Sequence, residues 1–236
     1  GMIIVSDSDS YLTVGDEPMQ YFKKFGKQSK IIVSEDRKIA LDYCQKNSIS
    51  FVILDDAFQN LSFDKDLNIL VTSFNRPFFY DDLFPVGMLR ESKNKARRAD
   101  VLVFSNTPQK IDVQKKIRFT NKANYYLKPN TPIFFSKVKY KTPSKIFGKK
   151  LSKKVIIISS IAYPEAFIDY VQSKYDVIRS VKFKDHHIYS EKEIKEISHG
   201  LDENISLLTT EKDAVKLCEF PHLLSSYNVY YLPIFI

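Results

Sequence analysis

Short β-branched runs alternate with amphipathic stretches along the first half of the chain: KIIVSED (30–36), RKIALDYCQKN (37–47), ISFVILDD (49–56), LNILVTS (67–73) and ADVLVFSN (99–106). Continuous apolar runs separated by helical spacing predict a parallel sheet covered on both faces. Within RKIALDYCQKN, the apolar residues Ile39, Ala40, Tyr43 and Cys44 fall on one stripe of a helix, and 109–128 predicts another. A break follows at LKPNTPIFFSKVKYKTPSKIFGKKLSKK, where prolines and many lysines surround IFFSKVKY. Its period-two alternation predicts an extended ribbon joining two lobes. From 153 a second α/β run begins with KVIIISS, PEAFIDYVQSKY, DVIRSVKF, SEKEIKEISHG, SLLTT, EKDAVKLC and NVYYLPIFI. Ser190 with Glu193 forms a capping-box pattern, and Gly200 a helix stop. The expected division is an N-terminal α/β lobe over 1–130, a ribbon or linker over 131–152 and a C-terminal α/β lobe over 153–236.

With 44% hydrophobic residues among 236, the chain can bury a sizeable core. Its longest apolar stretches, VIII at 155–158 and the final YYLPIFI, fall far short of the ~20 residues that span a bilayer. MIIV is too brief for a secretory signal. Cys44 and Cys218 lack CxxC spacing and read as core residues of a cytoplasmic protein. Gly1 before Met2 has the form of a tag scar, which would make Met2 the encoded start. The net charge of +8 suits an anionic partner. The basic residues are scattered singly, without RNP-like aromatics or zinc-finger spacing, which argues against nucleic acid.

Four stretches carry candidate chemistry. In YLTVGDEPMQYFKKF (11–25), Asp16 and Glu17 precede Pro18 at the mouth of a helix, where carboxylates complement the dipole. FVILDDAFQ sends an apolar run into Asp55 and Asp56, a pairing similar to a Walker B site for Mg2+. FKDHHIYS sets Asp185, His186 and His187 after a strand, where imidazole can orient a carboxylate or shuttle a proton. LFPVGMLRES offers Arg90, suited to a bidentate grip on phosphate, beside Glu91. GxxxxGK[ST], the loop that cradles phosphate in P-loop enzymes, has no match: no two of the six glycines have the required spacing.

The ordered series GDEP, DDAFQN…DKDLNIL, FPVGMLRES, RRADVLVFSN, SSIAYPEAF, FKDHHIYS and TTEKDAVKL resembles the tetraacyldisaccharide 4'-kinases over nearly the whole chain. That resemblance implies an α/β fold with a P-loop-kinase-like parallel-sheet lobe, here lacking its P-loop strand, and a smaller C-terminal α/β lobe joined by a β-ribbon. It implies ATP- and Mg2+-dependent phosphorylation of the 4'-hydroxyl of the lipid A disaccharide precursor, with peripheral contact at the inner membrane. It assigns Asp16 as general base with Glu17 beside it and His186 as its partner. Asp55 and Asp56 become magnesium ligands, and Arg37, Arg90 and Glu91 lie near the substrate. Ala57 and Asn60 stand where the family commonly has glycine and histidine, and Ser92 where proline is usual. The family's membrane helix and phosphate loop precede GDEP, so the chain reads as an N-terminally shortened member, expected to be inactive alone. The alternative is a non-catalytic homologue that binds a phosphorylated glycolipid or a protein partner. An uncovered sheet is expected either to be covered by another segment of the chain or to pair two chains.

Overall fold

Strand β1 (Met2–Ile4) lies antiparallel to a strand some thirty residues downstream, and two short helices fill the connection. Helix α1 (Tyr11–Val14) ends at Gly15, whose φ of 96° is a conformation that side-chain-bearing residues avoid. Helix α2 (Asp16–Phe25) starts at once, with Asp16 and Glu17 in its first turn and Lys23 and Lys24 in its last, matching the helix dipole at both ends. Strand β2 (Ile32–Ser34) pairs with β1, and α3 (Arg37–Lys46) is capped by Asp36, whose carboxylate accepts from the Lys38 amide.

Residues 51–54 form no strand, contrary to the pattern of ISFVILDD. Phe51 and Ile53 are about four-fifths exposed, at 79% and 82%. An apolar run becomes a buried parallel strand only where neighbours supply its ladder hydrogen bonds. None does so here. The parallel sheet that does form joins β3 (Ile69–Ser73), β4 (Val101–Ser105) and β5 (Ile133–Phe135) in that order, with α4 (Val113–Asn124) between the last two. Its core is aromatic: Phe74, Phe79, Phe104 and Phe119 pack with ring centroids 5.0–6.5 Å apart. Ile133–Phe135, expected in the ribbon, is thus the third strand of this sheet.

Beyond β6 (Lys139–Tyr140) the chain builds β7 (Ser144–Phe147), β8 (Lys154–Ser159), α5 (Glu165–Gln172), β9 (Asp176–Lys182) and α6 (Glu191–Ser198). It continues through β10 (Ile205–Thr210), α7 (Glu211–Leu217), α8 (Pro221–Leu224), β11 (Val229–Leu232) and β12 (Ile234–Phe235), which pairs with β6. The main sheet has the order β7-β11-β10-β8-β9, parallel except for edge strand β7. Its inner strands β8 and β10 read VIIIS and SLLTT because both faces are covered, each by its own apolar cluster. The capping box at Ser190 and Glu193 forms as expected.

The computed structural model describes residues 1–236 and divides into two units: Gly1–Val52 with Tyr140–Ile234, and Ile53–Lys139 with Phe235–Ile236. These limits differ from the expected 1–130, 131–152 and 153–236. Composition marks the proline- and lysine-rich break, whereas packing joins the first fifty residues to the C-terminal sheet. Val5, Tyr11, Val14 and Met19 bury their side chains against Val215 of α7. The unit holding the C-terminal sheet is therefore the larger.

Candidate active site

Helix α7 follows β10 without a loop, and its sequence carries an anomaly. Asp213, Ala214, Val215, Lys216 and Leu217 are all buried, so two charged residues sit on covered faces. Buried charges persist only when paired and hydrogen-bonded. Asp213, wholly buried, accepts from the Ser160 amide (2.9 Å), the Ser160 hydroxyl, Thr210 Oγ1 (2.8 Å) and Tyr189 Oη (3.1 Å). Burial, then the Asp213 charge, pushes the Tyr189 phenol far above its ordinary pKa, so it remains a donor.

Lys216, 1% exposed, donates to Ser160 Oγ (2.8 Å) and the His187 carbonyl (3.1 Å), and pairs with Asp16 Oδ2 at 3.1 Å and Asp213 Oδ1 at 3.5 Å. Asp16 reaches this lysine because α2 packs on α7. Its other oxygen, Oδ1, stands 3.0 Å from His186 Nδ1. One turn before Lys216, Lys212 extends Nζ to Glu17 Oε1 (3.2 Å), Asp185 Oδ1 (3.3 Å) and His186 Nε2 (3.3 Å), so each of its three donors has an acceptor. Asp16 Oδ2 lies 3.8 Å from the same ammonium.

His186 sits in the turn after β9 with φ of 57°, a left-handed conformation that few non-glycine residues hold, and its amide donates to Asp185 Oδ1. This turn, Ser160 after β8 and α7 after β10 all stand at the carboxyl ends of parallel strands, the edge where open α/β sheets bind ligands. Burial works to raise the pKa of Asp16. The Lys216 hydrogen bond, the charges of Lys212 and Lys216 and the His186 contact outweigh it and hold the carboxyl below its ordinary range. Burial likewise works to lower the pKa of Lys212, but the Asp16, Glu17 and Asp185 charges raise it overall.

Of the residues expected at a site, Asp16, Glu17 and His186 come together in this one cluster. Arg37 opens α3 in the same unit, half-buried, outside the contacts described above. The other four lie in the second unit. Asp55 Oδ1 accepts the Asp56 amide, Asp56 has φ of 44°, and Arg90 pairs with Asp56 at 3.2 Å. Glu91 accepts from Arg98 at 2.6 Å, and that guanidinium also lies over the Phe58 ring. No group of three or more His, Cys, Asp or Glu side chains is arranged to hold a metal ion.

Sequence reading missed Lys212, Lys216 and Asp213, naming TTEKDAVKL only as one of the ordered family motifs. The signal was present: a helix whose covered face must include Asp213 and Lys216 needs an internal partner for each.

Parallel strands that end in β-to-helix turns, with an acid, an imidazole and two ammonium groups at their carboxyl edge, place the chain among open-sheet α/β proteins whose ligands bind at that edge. The family profile described as tetraacyldisaccharide-1-P 4'-kinase matches residues 1–236, and the chain belongs to that family. It is 31% identical to the tetraacyldisaccharide 4'-kinase of Flavobacterium psychrophilum and 29% identical to that of Cytophaga hutchinsonii. In both comparisons the match covers 99% of this chain and 68% of the relative. Among solved structures it is similar to LpxK from Aquifex aeolicus in complex with ATP, with a TM-score of 0.69 and 27% identity over 99% of this chain and 69% of that one.

Proposed function

We propose that the chain supplies the acceptor-activating part of a kinase that uses ATP to phosphorylate the 4'-hydroxyl of a tetraacyldisaccharide 1-phosphate, the lipid A precursor. The observation that carries this reading is the contact of Asp16 with His186 at the carboxyl edge of the parallel sheet. A carboxylate hydrogen-bonded to an imidazole is a proton-accepting unit, and a sugar hydroxyl must lose its proton as its oxygen bonds to phosphorus. Glu17, Asp185 and Lys212 ring the same position and offer the hydrogen-bonding groups that a sugar requires. Family membership supports the substrate class.

In the second unit, the adjacent carboxylates of Asp55 and Asp56 offer hard oxygen donors of the kind that hold Mg2+ together with water and phosphate. When bound, the ion would neutralise charge on the transferring phosphate. Arg90, paired with Asp56, and Glu91 are the groups proposed to meet the substrate there, with Arg37 in the first unit. An acylated substrate puts the protein at a lipid surface, to which its net charge of +8 is suited. No helix is long and apolar enough to cross a membrane.

Because residues 1–236 contain no GxxxxGK[ST] loop, we expect the chain alone to bind the disaccharide without useful turnover. Loss of even one preorganised donor to a developing charge costs about 3–4 kcal/mol. The second reading is a non-catalytic homologue that binds a phosphorylated glycolipid or a protein partner. Titration calorimetry with tetraacyldisaccharide 1-phosphate, beside an assay for transfer from radiolabelled ATP, tests both. Binding without transfer is expected. Failure to bind the disaccharide overturns the acceptor-site reading, and transfer by this chain overturns both the expected inactivity and the non-catalytic reading.

A further inference from the structure

Between β3 and β4, residues 82–89 close into a braced turn that holds apolar side chains in water. The Phe84 amide donates to the Leu89 carbonyl, the Gly87 amide to that of Leu83 and the Leu89 amide to that of Asp82, each at 3.0 Å. Asp81, buried at the base, accepts from Arg76 at 2.8 Å and from the Asp82 and Met88 amides at 2.9 and 3.2 Å. A Cβ on Gly87 would stand 2.2 Å from the Asp82 carbonyl oxygen, so the returning chain requires glycine there. The tip of this turn is apolar: Leu83, Phe84, Val86 and Met88 are 48%, 76%, 86% and 67% exposed. Apolar residues scattered singly over a surface are ordinary, whereas a cluster of them on one turn marks an interaction site.

Basic and aromatic groups border the tip. Leu83 and Val86 line a cleft of about 510 Å3 with Ser92, Lys93, Asn94 and Tyr126. Lys93–Arg98 is a short 3-10 helix, begun by the bond from the Lys95 amide to the Ser92 carbonyl, and in such a helix side chains three apart eclipse. Lys95 and Arg97, both exposed, therefore lie on the cleft side, in line with Ser92 and Asn94. Lys93 pairs with Asp82 at 3.4 Å, which neutralises the exposed acid of the turn. Tyr125, also exposed, sets its ring 5.0 Å from that of Tyr126. Tyrosine suits a boundary where one end of the ring meets an apolar phase and the other meets water.

We infer that residues 83–88 are an interfacial anchor whose tip enters the surface of an anionic bilayer, with Lys95 and Arg97 at the lipid phosphates and Tyr125 and Tyr126 at the water boundary. A bilayer containing anionic lipid presents negative charge above and hydrocarbon beneath, the order that a basic rim around a projecting apolar tip complements. The anchor rests on the reading above that the acceptor is an acylated sugar at a lipid surface, and names the element that meets that surface. Arg90 follows Met88 by two residues, so insertion of the tip brings this guanidinium to headgroup level.

The chain contains no tryptophan, so Val86→Trp introduces a single fluorescent indole at the tip. Val113→Trp is the control, at an exposed position at the opposite end of α4 from Tyr125, a helix of 12 residues and about 18 Å. Each is titrated with vesicles of phosphatidylethanolamine and phosphatidylglycerol in equal parts. A blue shift and quenching by brominated acyl chains are expected for Val86→Trp and not for Val113→Trp. Adding Phe84→Ser to Val86→Trp should lower vesicle affinity about tenfold or more, and Lys95→Ser and Arg97→Ser about fivefold each. Should those variants fail to fold, quenching of Val86→Trp still decides insertion. No response from Val86→Trp, or an equal one from Val113→Trp, overturns the anchor. The same shift with dihexanoylphosphatidylglycerol below its micelle concentration would overturn it in favour of a single bound lipid, and a shift that grows with protein concentration without lipid in favour of a second copy. Calorimetry with tetraacyldisaccharide 1-phosphate separates the two readings: disaccharide binding without insertion overturns the anchor alone, and insertion without disaccharide binding overturns the acceptor-site reading while the anchor stands.

Discussion

Lys216 Nζ lies 3.1 Å from Asp16 Oδ2 across 200 residues of chain, on a helix whose covered residues, apart from Asp213 and this lysine, are apolar. The contact joins an N-terminal helix to the main sheet and places the carboxylate against His186. A buried ion pair adds little net stability compared with apolar packing, but removing one member leaves the other uncompensated at about 3–5 kcal/mol. In Lys216→Met, Asp213 keeps four neutral donors from three residues and Asp16 keeps His186 and the nearby Lys212. The expected loss is therefore at the lower end, about 3 kcal/mol, read from urea unfolding. A change below about 1 kcal/mol would show that the lysine does not hold this site together.

Coupling gives a second outcome. Asp16→Asn alone removes one charged partner from Lys216, which still has Asp213 at 3.5 Å, the Ser160 hydroxyl and the His187 carbonyl. The double variant with Lys216→Met is expected to be less destabilised than the sum of the single losses, by about 1–3 kcal/mol, as befits groups sharing one network. Additive losses in the unfolding cycle would mean that the two side chains act separately.

The pH dependence has a defined sign. Asp16 has a folded-state pKa below its unfolded value of 3.8. Its contribution to stability is complete above that value and is lost as pH falls through the lower folded pKa. Lys212 is shifted above 10.5, so its contribution is present below that value and is lost as pH rises through the higher folded pKa. Lys216→Met removes the hydrogen bond that does most to lower the Asp16 pKa. The acid limb of the stability curve should therefore move to higher pH in this variant, measured by unfolding at a series of pH values. An unchanged acid limb would contradict the geometry.

Local patterns made much of the fold legible. The helix at 37–46, the strands at 69–73 and 101–105 and the capping box at Ser190 were all readable because each depends on residues a few positions apart. ISFVILDD misled because its alphabet is that of a strand while its pairing depends on other strands, which no window of eight residues contains. The same holds for Ile133–Phe135, whose partner β4 lies thirty residues upstream. Asp16 and His186 could be associated only through the ordered motifs of a family, being 170 residues apart. Lys212 and Lys216 were legible in principle, as two charges one helical turn apart in a segment too apolar to face water at every position.

Strand β3 is an edge of its sheet, and its Ile69 and Val71 side chains, two apart and so on one face, are 49% and 59% exposed. Edge strands present unpaired backbone groups, and natural proteins blunt them with charges, proline or a covering element. The Ile69–Ser73 strand carries neither charge nor proline. A second copy of the chain is proposed to pair there, with apolar side chains supplying the contact. Light scattering over a range of concentrations should show association of the unmodified chain, and Val71→Lys should abolish it while leaving the thermal midpoint within a few degrees, since surface substitutions shift stability by about 0.5 kcal/mol or less. A monomer at every concentration would mean that this edge does not serve as a pairing surface, and association unaffected by Val71→Lys would place the contact elsewhere.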